Sequence, residues 1–175
     1  LDNEMMNIIE NNPKFVSHLH IPLQAGSDNV LKSMNRRYNR EEFISMVDAI
    51  KKKRPGISLS TDIIVGFPGE TEEDFLDTLD LCRVVGFSKI HVFPYSDRNG
   101  TVASKMKNKV DGNVKKNRVH RLMELSNELE KEYFESCLGG EVEVLIEEYK
   151  DGFYYGFTSN YIPLKLTGEY LINEI

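Results

Sequence analysis

Cysteine is scarce in this chain, and long apolar runs are missing. The 175 residues include two cysteines, Cys82 and Cys137, which lie far apart and match no paired-cysteine metal spacing. No apolar run reaches the roughly 18 residues that a membrane-spanning helix requires, and the polar, acidic residues at the start do not resemble a signal peptide. We therefore expect a cytoplasmic protein with no membrane partner and no metal site built from its own cysteines.

The common catalytic signatures are missing as well. The sequence contains no P-loop, no GxGxxG fingerprint, no HExxH and no CxxC, and no nucleophile–base pair stands out. What is present is a globular composition, with 40% hydrophobic residues, which is enough for a packed core. The length suits one domain plus a small appendage.

The net charge of −6 is unevenly distributed along the chain. Segments 32–54 and 105–121 are rich in lysine and arginine, whereas residues 139–175 carry more acids than bases. Each basic segment is explained either by a solvated helix face or by contact with an anionic partner. The overall acidity does not favour nucleic-acid binding, so we place any such contact on the basic segments.

Helical and strand patterns alternate along the first part of the chain. Strands are predicted at 15–21, 57–65 and 87–93, with helical spacing of apolar residues between them. The two helices between these strands begin with capping-box spacing, formed by Asn39 with Glu42 and by Thr71 with Asp74. This alternation predicts parallel strands joined by helical crossovers.

A different pattern follows the third strand. A loop without periodicity leads into a long helix over 113–138, which a Gly-Gly pair ends. Beyond it, apolar and acidic residues alternate as in a half-exposed strand, and two further short strands flank the turn at 158–160. We predict an α/β unit over residues 1–138 and a small antiparallel β-barrel over residues 139–175.

The predicted sheet is too small to stand alone. Three parallel strands with helices on one face leave both sheet edges unpaired, and a barrel of this type needs more strands to close. The chain also starts with the end of a helix and not with Met. We therefore expect residues 1–175 to be a piece of a longer enzyme, whose β module is itself incomplete.

The segment TDIIVGFPGE at 61–70 marks the candidate binding site. An apolar, β-rich run ends in glycines and leads into an acidic helix start, an arrangement that often contacts cofactors in α/β proteins. Polar loops also follow the two neighbouring strands, at 24–28 and 97–101. The residues alone therefore predict an α/β cofactor-binding protein with an appended β module.

Two histidines offer a competing interpretation. His18 and His20 lie two residues apart on the first strand and therefore share one face. Together with Asp62 they could ligate a metal, as in a hydrolase. Histidines hydrogen-bonded within the sheet are the simpler explanation, because no further histidine cluster completes a ligand set. We favour the simpler explanation and assign no metal-binding residue.

Three segments carry more specific information: HLHIPLQAGSDNVLKSMNRRY at 18–38, TDIIVGFPGETEEDF at 61–75 and FPYSDRNGTVASKM at 93–106. Together they resemble the radical S-adenosylmethionine (SAM) methylthiotransferases, and the tail at 140–166 looks like the start of a TRAM domain. The resemblance implies an α/β fold: the second half of a partial (β/α)6 radical SAM barrel, a TIM-like half-barrel. A small antiparallel, TRAM-like β-barrel module follows it.

The resemblance also implies cofactors: S-adenosylmethionine and two [4Fe-4S] clusters. In the family, one cluster binds to CxxxCxxC after the first strand and cleaves SAM to a 5′-deoxyadenosyl radical, and the second supports sulfur insertion. Neither cysteine set is present here. Both clusters are therefore expected to be ligated outside these residues. The full-length protein is expected to be a transferase, whereas this piece alone should carry no catalytic residue and be inactive.

Cofactor contacts carry over from the resemblance to individual positions. They are Gln24 and Ser27 beside the ribose and the amino acid part, Arg36 at the methionyl carboxylate, Ile64 and Gly66 against the adenine, and Phe93 and Tyr95 at the sixth strand's end. Two departures affect the detailed geometry. Asp62 stands where the wider superfamily usually has glycine, and Ala25 replaces the more usual serine.

The family acts on an adenosine next to the tRNA anticodon or on an aspartate of a ribosomal protein. The TSNY turn at 158–161 favours N6-threonylcarbamoyladenosine, with N6-isopentenyladenosine second. Contacts with tRNA are expected from Arg98, Lys105, Lys107, Arg118 and Tyr161. We expect a monomer. Two alternatives of other classes stay open: a metal-dependent hydrolase that uses His18 and His20, and a non-catalytic RNA-binding module.

Overall fold

A computed structural model describes residues 2–175. Its elements, in chain order, are α1 (Asn3–Asn11), β1 (His18–His20), α2 (Asp28–Ser33), α3 (Arg40–Lys53), β2 (Ser58–Val65), α4 (Glu72–Val85), β3 (Lys89–Pro94), α5 (Gly112–Ser136), β4 (Val144–Lys150), β5 (Phe153–Thr158) and β6 (Pro163–Leu166). This order confirms the predicted α/β alternation and β-rich tail. Within residues 2–175, no helix is both long and apolar enough to cross a membrane.

Local signals begin and end the helices where the sequence predicted. The Asn39 side chain accepts the Glu42 N–H at 2.9 Å, and the Glu42 carboxylate accepts the Asn39 N–H at 3.0 Å. Thr71 and Asp74 form a second capping box at the start of α4. Gly86 ends α4 in the left-handed conformation, with φ of 63°. The short helix α2 was not predicted, since the sequence indicated only a polar loop after β1.

The first three strands form a parallel sheet in the order β1-β2-β3. Alternate residues of β2, namely Leu59, Ile63 and Val65, are buried in the core together with apolar residues of α1, α3, α4 and α5. Because side chains alternate across a strand, the residues between them belong to the opposite face. We call this the polar face of the sheet; it carries His18, His20, Ser58, Ser60, Asp62, Lys89 and His91.

Helix α5 covers the outer edge of β3. The Ser126 hydroxyl accepts the Ile90 N–H at 3.1 Å and donates to the Ile90 carbonyl at 3.3 Å. Leu122, Leu125 and Leu129 bury the same helix face in the core. The expectation that both sheet edges are unpaired is therefore wrong at Ile90, because a helix hydroxyl replaces the missing strand.

The tail forms a three-stranded antiparallel sheet in the order β4-β5-β6. The register between β4 and β5 shifts between Ile146 and Glu148, a β-bulge that bends the strand. After β6 the chain returns beside β4, where Ile146 donates to the Glu174 carbonyl and accepts the Asn173 N–H. The described residues thus show the expected antiparallel strands as an open sheet.

The turn between β5 and β6 packs against the end of α5. The Asn160 amide donates to the Tyr133 hydroxyl at 2.8 Å and approaches Cys137 Sγ at 3.6 Å. Burial, reinforced by the nearby Cys137, raises the pKa of Tyr133 to about 12. The neutral Tyr133 hydroxyl therefore joins the β module to the α/β unit across the neutral pH range.

Candidate cofactor cleft

A cleft of about 490 Å³ opens at the carboxyl ends of β2 and β3. Strand ends and the loop after β3 supply its lining: Gln24, Asp62, Ile64, Phe93, Pro94, Tyr95, Ser96, Arg98, Thr101 and Ala103. Its size lies within the range of about 300–1,000 Å³ that is typical of ligand sites. Open α/β sheets usually bind ligands at this edge. The structure thus brings together Gln24, Ile64, Phe93, Tyr95 and Arg98 from the predicted set.

Backbone pairing fixes Gln24 at the cleft. Its N–H donates to the Asp62 carbonyl at 2.8 Å, and its carbonyl accepts the Ile64 N–H at 2.9 Å. The chain after β1 therefore pairs again with β2 as an isolated parallel bridge. Gln24 adopts a left-handed φ of 70°, which costs a residue with a Cβ about 1–2 kcal/mol. Its amide offers a ligand both a donor and an acceptor.

An apolar wall stands beside Gln24. Ile64 and Phe93 are directly paired in the β2–β3 register, and Phe93 is 50% exposed. Tyr95 meets Phe67 edge-on at 5.3 Å, and its hydroxyl donates to Asp97 at 2.9 Å. A half-exposed phenyl ring next to an isoleucine is a surface on which a flat heterocycle can pack.

Gly66 lies outside the cleft lining and packs against α5. Its N–H donates to the Glu70 carboxylate at 2.7 Å, and its φ is 73°. A Cβ at this position would lie 2.2 Å from Cγ of Lys115. The glycine therefore permits both the left-handed turn and the close approach of the Lys115 stem. Its predicted contact with adenine stays a prediction.

Ser27 is also set apart from the cleft. It is 1% exposed, and its hydroxyl donates to the Asp74 carboxylate at 2.5 Å. Asp74 also accepts hydrogen bonds from Asn29 and from the N–H and hydroxyl of Thr71. Burial would raise the pKa of Asp74, but these hydrogen bonds outweigh it and hold that pKa below its ordinary value. Ser27 thus joins the loop after β1 to the start of α4. Its predicted cofactor contact stays a prediction.

Arg36 is exposed on the segment after α2 and does not belong to the cleft lining. Its neighbour Tyr38 donates to the Leu23 carbonyl at 2.9 Å and packs against the core. Burial raises the pKa of Tyr38, and the Arg36 charge partly opposes that rise. The predicted role of Arg36 at the methionyl carboxylate stays a prediction.

The residues predicted to contact RNA separate into two groups. Lys105 and Lys107 are exposed on the loop that also carries Arg98. Arg118, by contrast, is 4% exposed and pairs with Glu70 at 2.7 Å, itself 6% exposed. Burial raises the pKa of Glu70, although the hydrogen bond from the Gly66 N–H and the charge of Arg118 both act to lower it. The prediction that Arg118 contacts RNA is therefore corrected: this guanidinium is held inside the fold.

The histidines of the polar face are arranged differently from the proposed hydrolase set. His18 binds the Ser58 hydroxyl through Nδ1 at 2.5 Å and lies under Tyr161. Burial and the nearby His20 lower the pKa of His18. His20 Nε2 instead approaches Asp62 at 3.3 Å. The histidine whose ring lies close to both His20 and Asp62 is His91 of β3, and not His18. The proposed metal set of His18, His20 and Asp62 is therefore corrected.

Sequence reasoning missed several parts of the site. Ser96 and Ala103, on either side of the polar loop that the sequence indicated at 97–101, line the cleft because the chain after β3 folds back over it. His91 lies on the third predicted strand, but only the strand register brings it opposite Asp62. The alternation of β3 was the one available signal, since it places His91 and Phe93 on the same face.

Iron–sulfur clusters find no ligand set in the described residues. Cys82 is fully buried in the core, and burial raises the pKa of its thiol. Cys137 lies at the end of α5 beside Asn160. Two separated thiols cannot supply the cysteine set that a cluster requires. The cleft, with an apolar wall and one amide, suits the adenosine part of SAM.

The parallel sheet, its helical crossovers and the cleft at the strand ends define an α/β domain with a candidate ligand site. A solved structure with the same fold is coproporphyrinogen III oxidase (HemN) from Escherichia coli, described as a radical SAM enzyme. The TM-score is 0.59 at 18% identity, and the match covers 71% of this chain and 30% of that chain. At this identity the likeness concerns the fold alone.

Sequence comparison identifies the family. Residues 1–82 match the model described as the radical SAM superfamily. The chain is 42% identical, over 181 aligned residues, to threonylcarbamoyladenosine tRNA methylthiotransferase MtaB of Bacillus subtilis, covering 100% of this chain and 40% of that protein. It is 49% identical over 147 residues to tRNA-2-methylthio-N(6)-dimethylallyladenosine synthase of Acetivibrio thermocellus, covering 84% of this chain and 31% of that protein. The resemblance is therefore confirmed: the chain is similar to radical SAM methylthiotransferases, and it spans less than half the length of these relatives.

Proposed function

We propose that this chain is the part of a tRNA methylthiotransferase that binds the adenosine end of SAM and contacts tRNA. The observation that carries the proposal is the 42% identity to a tRNA methylthiotransferase over 100% of the chain, so that the α/β unit and the β module both match. We propose that the two units extend over residues 1–138 and 139–175, the second being TRAM-like. The working enzyme is a monomer in this proposal.

The cleft residues have distinct tasks in this proposal. Ile64 and Phe93 pack against the adenine ring, and the Gln24 amide hydrogen-bonds the ribose. Bound SAM supplies the radical chemistry of the family, and two [4Fe-4S] clusters are ligated outside the residues of this chain. The protein groups described here therefore bind and orient the cofactor.

The favoured substrate is N6-threonylcarbamoyladenosine in tRNA. The relative named for that nucleoside aligns with 100% of this chain, whereas the first two relatives named for dimethylallyladenosine align with 84% and 85% of it. N6-isopentenyladenosine is the second substrate, and an aspartate of a ribosomal protein is the third.

Positive charge beside the cleft supports contact with tRNA. Arg98 lines the cleft itself, and Lys105 and Lys107 follow on the same exposed loop. Lys109 is less available, because it pairs with Asp97 and contacts the Tyr95 ring. Arginine and lysine side chains at such a rim neutralise phosphates and fix the nucleic acid next to the site of reaction.

The experiment is nucleoside mass spectrometry of tRNA treated with a protein that contains this chain and has its clusters reconstituted. We expect the methylthio derivative of N6-threonylcarbamoyladenosine. Ile64→Asp should abolish product and weaken SAM binding, because it places a charge against the adenine. The matched control is Leu76→Asp, at a 49%-exposed apolar position on α4.

The outcomes separate the alternatives. Methylthiolated isopentenyladenosine alone would move the assignment to the second substrate. Unmodified nucleosides from a protein with intact clusters, or full activity in Ile64→Asp, would count against the proposal. Salt-dependent tRNA binding without any modification would favour the non-catalytic RNA-binding module.

A further inference from the structure

We propose that His20, Asp62 and His91 bind a single divalent transition-metal ion on the polar face of the sheet. The three residues come from β1, β2 and β3, and their ligand atoms all lie within 4.8 Å of one another. This inference goes beyond the proposed transferase function and does not depend on it, because it rests on side chains of this chain alone.

The strand register holds the three side chains together. Asp62 is directly opposite His91 in the β2–β3 pairing, and His20 is opposite Ser60, two residues before Asp62. The atoms His20 Nε2 and Asp62 Oδ2 are 3.3 Å apart, and the rings of His20 and His91 are 5.8 Å apart. Neighbouring strands are spaced about 4.8 Å apart. The sheet therefore fixes the three anchor points before any ion arrives.

The arrangement needs a modest contraction to accept an ion. In a tetrahedral site, bonds of about 2.0–2.2 Å place two ligand atoms of one zinc ion roughly 3.3–3.6 Å apart, so separations of up to 4.8 Å must close by about 1 Å. His20 and His91 are exposed and Asp62 is partly exposed, so small side-chain rotations suffice. Two imidazoles and one carboxylate form the ligand set of catalytic Zn²⁺ sites and of non-haem Fe²⁺ sites.

A hydrogen bond orients one of the ligands. His20 Nδ1 lies 3.0 Å from the Ser60 hydroxyl, and Ser60 is 4% exposed. Metal-binding histidines characteristically engage their second ring nitrogen in this way, which fixes the ring and its tautomer. His20 Nε2 is thereby left for the ion, on the side where Asp62 already lies.

His18 takes no part in the site, although it shares a strand with His20. Its Nδ1 is 2.5 Å from the Ser58 hydroxyl, and its Nε2 is 3.3 Å from the Ser60 hydroxyl. Its ring is stacked under Tyr161. Both ring nitrogens therefore have partners within the fold, which distinguishes this site from a set of His18, His20 and Asp62.

The site adjoins the cofactor cleft. Asp62 lines the cleft, and the wall residues Ile64 and Phe93 stand two positions further along the same strands as Asp62 and His91. An ion held by three protein ligands keeps at least one position for water or for a ligand oxygen. A ligand in the cleft can therefore reach that open position.

The test is equilibrium dialysis of the 175-residue chain against Zn²⁺, followed by elemental analysis. The visible absorption of Co²⁺, used as a probe ion, is the second measurement. The ligand variants, compared with the controls, then show whether the bound metal lies at this site. The ligand variants are His91→Gln and Asp62→Asn. The controls are His18→Gln and His120→Gln, the latter at a 73%-exposed histidine of α5.

We expect one ion per chain, with affinity reduced at least about tenfold in either ligand variant and by about 10–100-fold in Ser60→Ala. The two control variants should bind as the parent does, and circular dichroism should show all variants folded. Absence of stoichiometric metal from the parent chain would overturn the site. So would unchanged binding in His91→Gln, or an equal loss in His18→Gln, which would return the ion to the other histidine pair.

Discussion

The ring of Tyr161 stacks on the imidazole of His18, with 4.6 Å between ring centroids and 26° between ring planes. This contact joins the turn of the β module to the first strand of the parallel sheet. Tyr161 is nevertheless 57% exposed and also packs against Phe157. The turn that indicated the substrate from sequence is therefore also a structural link between the two units.

Tyr161→Ala should loosen this link. Aromatic pairs contribute about 0.5–1.5 kcal/mol beyond area burial, so the free energy of unfolding should fall by about that amount. The pKa of His18 should also rise toward its ordinary value, because burial is the main cause of its depression. NMR titration of the His18 ring protons measures this, and Tyr161→Phe, which keeps the ring, should leave the pKa unchanged.

The sign of the pH effect follows from the lowered pKa of His18. A histidine that resists protonation in the folded state contributes stability above its ordinary pKa of about 6.5 and loses it as pH falls through the folded value. Tyr161→Ala should shrink this loss. A His18 titration identical in the parent and in Tyr161→Ala would show that the stack does not bury the ring.

Removing Arg118 should destabilise the fold strongly. Arg118→Met leaves the Glu70 carboxylate buried without its partner, which costs about 3–5 kcal/mol for a buried pair. Adding Glu70→Gln should recover much of that loss, because the charge is then removed as well. Chemical denaturation of the two single variants and the double variant measures the coupling. Arg121→Met is the control: its partner Glu72 is exposed, so the loss should stay below about 1 kcal/mol.

Asp74→Asn should weaken the connection between the loop after β1 and α4. An amide cannot replace both carboxylate oxygens as acceptors for Ser27, Asn29 and Thr71, so we expect a loss of about 1–3 kcal/mol. Because the folded pKa of Asp74 is lowered, its contribution is complete above about pH 4 and is lost as pH falls further. Urea denaturation between neutral and acid pH should show a shallower acid loss in Asp74→Asn. If the free energy of unfolding fell equally steeply with decreasing pH in both proteins, the lowered pKa assigned to Asp74 would be contradicted.

Two glycines of one turn allow a matched comparison. Gly66 and Gly69 both have positive φ, but only Gly66 has a neighbour, Lys115, within reach of an added Cβ. Gly69→Ala should cost the left-handed strain of about 1–2 kcal/mol. Gly66→Ala should cost about 1–3 kcal/mol more, because the Lys115 stem must move. Thermal unfolding of both variants checks the difference. Equal losses of stability would mean that the Lys115 side chain can move aside at no cost.

The exposed basic loop gives a prediction for tRNA binding. Lys105→Ala and Lys107→Ala should each lower tRNA affinity and reduce the slope of log K against log salt by about 0.7–0.9 for each lost phosphate contact. Filter binding at several salt concentrations measures both quantities. Lys131→Ala is the control, at an exposed lysine of α5 that pairs with Glu135. An equal effect in the control would mean that only net charge matters.

Local patterns in the sequence were sufficient for most of the fold. Capping boxes at Asn39 and Thr71 gave the starts of two helices, because these signals act within one turn of the chain. The short helix α2 escaped prediction, since its six residues show less than two turns of periodicity. The Ser126 contact with Ile90 also escaped, because it joins residues far apart in the chain.

The candidate site divides in the same way. Ile64 and Phe93 were predicted from the family resemblance, and the structure places both in the cleft lining. Arg118 was misread because a buried and a solvated arginine look alike in sequence; only Glu70, from another segment, distinguishes them. Position 66 is a similar case: it requires glycine because the Lys115 side chain on α5 lies where a Cβ would be.

The sequence by itself determined the order of helices and strands, the β-rich tail and the kinship with radical SAM methylthiotransferases. These depend on residues close together in the chain or on the order of several motifs along it. Only the tertiary structure decided which polar side chains share a place: His91 with His20 and Asp62, Ser27 with Asp74, and Tyr161 with His18. The physical reason is that strand register and helix packing, which no local pattern encodes, set the distances between segments.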